Sequence, residues 1–223
     1  DLKGAIVLPV AQHQAAITDP AKLGELLRAI DVYHGTPVVR SALALAPLVF
    51  LRPGELRRAE WTEIDLDGAT WTIPAARMKG RLKAKLTGAP HVVPLAPQAL
   101  ATLRDLLPLT GGEGRRYVFP SLLTGERCMS ENTVRGALRR MGYGNDDMTA
   151  HGFRAMARTL IAERLGVAPE VIEAQLAHAV GDSLGRAYNR TQFLDQRRDM
   201  MKAWADYLDR LRDGAQVLPF KAA

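Results

Sequence analysis

Five side chains in this 223-residue sequence, Arg52, His151, Arg154, His178 and Tyr188, belong to types that hold anions, move protons or attack as nucleophiles. Arg52 ends the apolar run of LVFLRPGEL, directly before Pro53-Gly54. A guanidinium stays charged at any relevant pH and is rarely buried without an anionic partner. Glu55, three residues on, is one such partner, so the local sequence admits a structural Arg52–Glu55 ion pair as readily as a cation held for a ligand. In HGFRAMARTL, residues 151–160, His151 and Arg154 share a helix face by their i, i+3 spacing, while Phe153, Met156, Ala157, Leu160 and Ile161 supply the buried side. Imidazole titrates nearest neutrality and can take or give a proton, and a guanidinium fork suits two oxygens of a phosphate. The local alternative is a helix-start histidine and an Arg154 paired with Glu170 or Glu173.

QLAHAVGDSLGRAYNR carries His178 and, ten residues later, Tyr188 between Arg186 and Arg190. A phenol with a pKa of about 10 is a poor nucleophile, but arginine neighbours favour the phenolate. The same tyrosine reads, taken alone, as a half-buried packing residue. The stretch ARMKGRLKAKLTGAPH places Lys79, Lys83 and Lys85 among Arg77 and Arg81. Such a loop is either a solvated basic turn or one that follows a nucleic-acid backbone with a lysine reaching into a groove. The five histidines, His13, His34, His91, His151 and His178, form no HExxH pair, and there is no cysteine cluster, GxxxxGK[ST] loop or GxSxG elbow. The expectation is a protein that uses neither metal nor nucleotide cofactor.

The elements that must position these groups follow from the patterning. Asp19-Pro20 and Thr36-Pro37 open helices as N-cap and first-turn proline, with Leu23, Leu26, Leu27 and Ile30 as the apolar stripe of the first. Pro53-Gly54 breaks the second. WTEIDLDGATWTIP predicts a hairpin around Asp67-Gly68, and HVVPL a third strand after the basic loop. Helical patterns then cover about 97–107, 130–141, 149–165, 169–178 and 191–212, with Ser130 and Pro169 as start signals. Helices, a small sheet, then helices predict a mainly α-helical α+β fold with a small antiparallel sheet.

A net charge of +6 and a pI of about 9.7 favour polyanionic partners, nucleic acid before anionic membrane. The single cysteine, Cys128, fits a reducing compartment. The longest apolar run, residues 42–51, is about half of the ~20 residues a membrane span needs, so the expected location is the cytoplasm. Asp1 in place of a methionine suggests a piece of a longer protein.

In order along the chain, LVFLRPGELRRAEW, RMKG, HGFRAMARTLIAE, QLAHAVGD and AYNR resemble the boxes of tyrosine recombinases, near the phage and genomic-island integrases. The resemblance spans about residues 19–212 and implies that family's catalytic-domain fold, with 1–18 as a linker from a missing N-terminal DNA-binding region and 213–223 as a tail. It implies that Tyr188 attacks a DNA phosphodiester to form a 3′-phosphotyrosyl link while Arg52 and Arg154 hold the non-bridging oxygens. His151 then acts as acid or base toward the tyrosine, Lys79 protonates the leaving 5′-oxygen, His178 donates to the phosphate and Glu55 supports Arg52. Arg77, Arg81, Lys83, Lys85, Arg186 and Arg190 become DNA contacts. The implied partners are double-stranded attachment-site DNA, a homotetramer on that DNA and accessory DNA-bending proteins, in the nucleoid of a bacterial or phage-infected cell, with no cofactor. A type IB topoisomerase-like activity and a non-catalytic DNA-binding module remain alternatives. Many relatives have Gly where this chain has Ala177, a change small enough to predict little effect. The apolar residues of RRDMMKAWADYLDRL pack in their own domain or dock on a neighbour.

Overall fold

The computed structural model describes residues 15–79, 85–86, 88–178 and 193–214. Helix α1 (Pro20–Asp31) starts where Asp19 accepts from the Lys22 amide at 2.9 Å, with proline at the first helical position. Its stripe of Leu23, Leu26, Leu27 and Ile30 is buried. Helix α2 (Pro37–Val49) is buried along most of its length and is the central rod of the domain. Thr36 occupies the N-cap position but makes no side-chain cap bond. Pro47 lies inside α2, and its carbonyl accepts from the Trp204 indole at 2.9 Å.

The helix ends on Phe50, whose φ of 35° is left-handed, and the chain turns sharply into the short α3 (Pro53–Arg57). The sheet follows: β1 (Ile64–Asp65), β2 (Thr70–Ile73) and β3 (His91–Pro94), antiparallel in that order. Asp65 pairs with Thr70, so the turn holds four residues. Asp65 Oδ1 accepts from the Asp67 and Gly68 amides, and the left-handed position falls on Ala69, one residue beyond the expected Asp-Gly pair. Trp71, Ile73 and Val93 are buried on the core face.

Helices α4 (Pro97–Thr110), α5 (Thr133–Arg140), α6 (Gly152–Leu165), α7 (Pro169–Gln175) and α8 (Leu194–Arg212) complete the domain. Two begin three residues later than the pattern predicts because a hydroxyl turn precedes each. Ser130 Oγ accepts from the Asn132 amide before α5, and Thr149 Oγ1 accepts from the Gly152 amide before α6. Helix α4 runs past residue 107 through Pro108 to Thr110. Along α8, Met200, Met201, Trp204, Tyr207, Leu208 and Leu211 are all buried in this chain's own core. That core-facing stripe resolves the choice left open for the helix in favour of packing in cis.

Gly24 permits a close crossing of α1 and α8, since a Cβ there would meet the Leu211 carbonyl oxygen at 2.5 Å. Residues 15–18 are seated on the domain as well. The Thr149 amide donates to the Ala15 carbonyl, which lies 2.2 Å from where a Gly152 Cβ would stand. No helix among the described residues is long and apolar enough to cross a membrane.

Candidate active site

The site assembles where three chain turns meet: the end of α2, the start of α6 and the end of α7. Arg154, in the first turn of α6, is buried to 6 % exposure and reaches both neighbouring turns. Its Nη1 donates to the Phe50 carbonyl at 2.9 Å and its Nη2 to the Leu176 carbonyl at 2.8 Å. Each turn is left-handed at or beside the accepting residue, at Phe50 (φ 35°) and Ala177 (φ 50°). Neither partner is a carboxylate, so the guanidinium keeps its full charge. Burial first, then the nearby Arg52 charge, lowers its pKa to about 10, which leaves it cationic at neutral pH.

Arg52 lies just beyond the same α2 turn and caps α3. Glu55 is buried and accepts from the Arg52 guanidinium at 3.0 Å and from its amide at 3.2 Å. The predicted Arg52–Glu55 pair is therefore present, and Arg52 stays near enough to Arg154 for its charge to act on that guanidinium. The alternative pairing of Arg154 with Glu170 or Glu173 is not found: Glu173 instead binds Arg158 at 2.6 Å and His178 at 2.5 Å.

His151 is exposed at the N-cap of α6 while Arg154 points inward, so the two diverge from one helix face. They remain electrostatically coupled. Burial, and then the charges of Arg154, Arg52 and Lys79, lower the His151 pKa below its ordinary value, so the ring is neutral and able to accept a proton near pH 7. Lys79 itself is exposed. An open cleft of about 810 Å³ adjoins His151 and is walled by Pro53, Asn132 and Arg135.

His178 follows a Schellman-type end to α7: its amide donates to the Glu173 carbonyl at 3.0 Å and the Ala177 amide to Ala174 at 3.1 Å. The left-handed residue is Ala177 (φ 50°), a conformation that glycine adopts without the cost an L-residue meets, so this position is set by backbone conformation rather than by a size limit. His178 Nδ1 faces Glu173 and its Nε2 lies 3.3 Å from Arg154 Nη2. With the proton assigned to Nδ1, Nε2 accepts from the guanidinium. Glu173 is held ionised: burial alone would raise its pKa, but the His178 and Arg158 contacts lower it.

Arg77 is engaged differently from a groove-following cation. Its fork grips buried Glu63, with Nε to Oε1 at 2.6 Å and Nη2 to Oε2, and Nη1 donates to the Arg58 carbonyl at 2.7 Å. Only 14 % of its side chain is exposed, and its charge is neutralised where the basic loop begins. Lys85 is half-buried. Arg81, Lys83, Arg186, Tyr188 and Arg190 lie outside the described residues.

A strap beneath the site was not legible in the sequence. Arg197 of α8 donates to the Gln175 side chain at 2.8 Å and to the Val92 carbonyl, and His91 donates to the Gln175 carbonyl at 3.0 Å. Burial, then the charges of Arg197, Arg154 and Arg52, hold the His91 pKa down at about 3. A polar residue at the first position of a predicted strand was the signal available. Glu173 had a clearer one, an acid five residues before a histidine across a helix end, the pair whose backbones meet in a Schellman turn.

Comparison with known proteins gives a consistent result. Residues 18–194 match the phage integrase family. The integrase of Enterobacteria phage P4 is 38% identical over 220 residues, 96% of this chain and 49% of that protein. Prophage integrase IntA of Escherichia coli (strain K12) is 39% identical over 199 residues, 89% of this chain and 46% of that protein. This chain thus spans about half the length of such relatives. Among solved structures, an integrase from mycobacterium phage Brujita aligns with a TM-score of 0.60 at 16% identity, over 92% of this chain and 65% of that one. A lambda integrase tetramer bound to a Holliday junction aligns at 0.55 with 20% identity, over 88% of this chain and 52% of that one. These likenesses establish the helical fold with its small sheet.

Proposed function

The chain belongs to the phage integrase family, and from that premise we propose that residues 19–212 are the catalytic domain of a site-specific recombinase, with 1–18 a linker and 213–223 a tail. The observation that carries the reading is Arg154, buried near Arg52 and, among the described residues, hydrogen-bonded by two carbonyls and His178 with no carboxylate in direct contact. A DNA phosphodiester supplies the anion. Arg52 and Arg154 hold its non-bridging oxygens and stabilise the charge that builds on them in the transition state. Tyr188 Oη attacks phosphorus as His151 takes its proton, the bond to the 5′-oxygen breaks, and Lys79 gives that oxygen a proton. The phosphoryl energy stays in the 3′-phosphotyrosyl bond, so attack by a second 5′-hydroxyl rejoins strands without ATP. The strand-exchange assembly is a homotetramer on double-stranded DNA in the cytoplasm, with accessory DNA-bending proteins as further partners.

A nicked duplex library with a randomised core tests this whatever base sequence the protein recognises. Cleavage lets the short 5′-hydroxyl strand diffuse away and traps the adduct. DNA recovered covalently on wild-type protein and absent with Tyr188→Phe is the expected result; an adduct that persists in Tyr188→Phe overturns it.

A further inference from the structure

Glu173 has no task in the proposed reaction, yet both of its carboxylate oxygens are engaged beside the site. It touches His178 twice, through its carbonyl to the His178 amide at 3.0 Å and through Oε2 to Nδ1 at 2.5 Å. Its other oxygen is fixed by Arg158 Nε at 2.6 Å. The far ring nitrogen of His178 lies 3.3 Å from Arg154, the residue proposed to hold the phosphate. His178 ends the turn after α7 with 44 % of its side chain exposed, so among the described residues its hydrogen bonds to Glu173 and Arg154 are what orient the ring.

We propose that Glu173 is the positioning residue for His178: it holds Nδ1–H, and so sets the ring plane and points Nε2 at the phosphate site beside Arg154. The inference rests on the recombinase reading and names a residue outside the motifs that carried it. Which ring nitrogen faces a ligand is set by the hydrogen bond the other one makes. The Schellman turn gives the carboxylate its reach, because that turn brings side chains five residues apart into contact. In the free protein Nε2 accepts from Arg154. When a phosphate oxygen approaches, Nε2 takes up a proton from solvent and donates it in a hydrogen bond to that oxygen, and the Glu173 carboxylate balances the charge the ring then carries. Arg158, 59 % exposed, anchors the carboxylate from the solvent side.

The test is a double-mutant cycle on single-turnover adduct formation with a duplex selected from the randomised library. Glu173→Ala slows cleavage about 10- to 100-fold, part of the ~100- to 1,000-fold that loss of a transition-state donor brings. In a His178→Ala background the same change has less than a twofold further effect, because its target is gone. Glu173→Gln, which keeps an oxygen for Nδ1–H, recovers a substantial part of the rate. Glu170→Ala, an exposed acid on the same helix, leaves the rate unchanged and controls for net charge.

Equal slowing by Glu173→Ala in both backgrounds overturns the proposal, since a role in folding alone would behave that way. So would a Glu173→Ala rate within twofold of wild type. Imidazole ¹⁵N spectra of the same variants give a readout independent of turnover: His178 Nδ1 is protonated in wild type, and the assignment is lost in Glu173→Ala. An unchanged His178 spectrum overturns the inference while a Tyr188-dependent adduct leaves the recombinase reading standing. Absence of any such adduct in wild type would remove the recombinase reading and this inference with it.

Discussion

Arg154 and Arg77 are both largely buried arginines held by several protein groups, and they are opposite in consequence. Arg77 faces the Glu63 carboxylate and a carbonyl, so its charge is cancelled where it sits. Arg154 faces two carbonyls and a histidine, so it is fixed in place with its charge intact. Removing a charge from water costs several kcal/mol, and only a carboxylate partner offsets much of that within the fold. A buried guanidinium held by neutral groups is a positive charge that the protein leaves for something else to meet. Neutral partners are necessary for this and not sufficient. Arg197 is also held by a carbonyl and an amide, but it ties α8 to α7 and β3 beneath the site.

The sharpest way to break this contrast is to truncate each arginine in turn. Arg154→Ala should slow single-turnover cleavage by about 100- to 1,000-fold or more, the range for losing one preorganised anion donor. A rate within threefold of wild type would show that the free charge is not used. Arg77→Ala should do the reverse. It leaves buried Glu63 unpaired, which costs about 3 kcal/mol or more in urea unfolding, while cleavage at saturating DNA and low temperature stays within a few-fold of wild type. If instead it reduces the salt slope of DNA binding by about one phosphate's worth, Arg77 contacts the backbone and the contrast collapses.

The uncancelled charges also act on their neighbours. Burial first, and then the charges of Arg197, Arg154 and Arg52, hold the His91 pKa at about 3, well below the ordinary 6.5. The unfolded chain therefore binds a proton at His91 that the folded chain refuses, over the window from pH 6.5 down to about 3. Stability from this group is fully present above pH 6.5 and falls as the solution is acidified through that window. Each pH unit is worth about 1.4 kcal/mol, so urea unfolding should lose about 2 kcal/mol between pH 6.5 and 5 from His91 alone. His91→Gln should flatten that part of the profile. An unchanged slope in the variant would mean that His91 is not the group whose proton uptake destabilises the fold in this window.

The sequence discloses Arg52, His151, Arg154 and His178, which the fold places around one site, and the helices that position them, because types such as Arg and His at fixed spacing, and caps such as Asp19-Pro20, are local signals. It could not disclose which arginine is spent. Arg77 and Arg154 look alike in one dimension, and their partners Glu63, Phe50 and Leu176 are 14, 104 and 22 residues away. Glu173 was legible only as half of an ion pair, and the structure gives it a different partner than Arg154. Left-handed turns were invisible where the residue is not glycine. Phe50 and Ala177 carry them with side chains that give no such sign.

Those two turns differ in a way that yields the smallest effect. Both supply a carbonyl to Arg154, and a left-handed conformation costs an L-residue about 1–2 kcal/mol. Phe50 offsets this by burying its ring to 1 % exposure, worth about 2–3 kcal/mol. Ala177 is half-buried with one methyl group and has nothing comparable to offset the strain. Ala177→Gly should therefore raise stability by about 1 kcal/mol, read as a higher urea midpoint at unchanged slope, with cleavage unaltered. Phe50→Gly, the same relief of backbone strain, should destabilise, because the lost ring outweighs it. Were Ala177→Gly destabilising instead, the turn that presents the Leu176 carbonyl and His178 to the site would not be left-handed, and Arg154 would need another partner on that side.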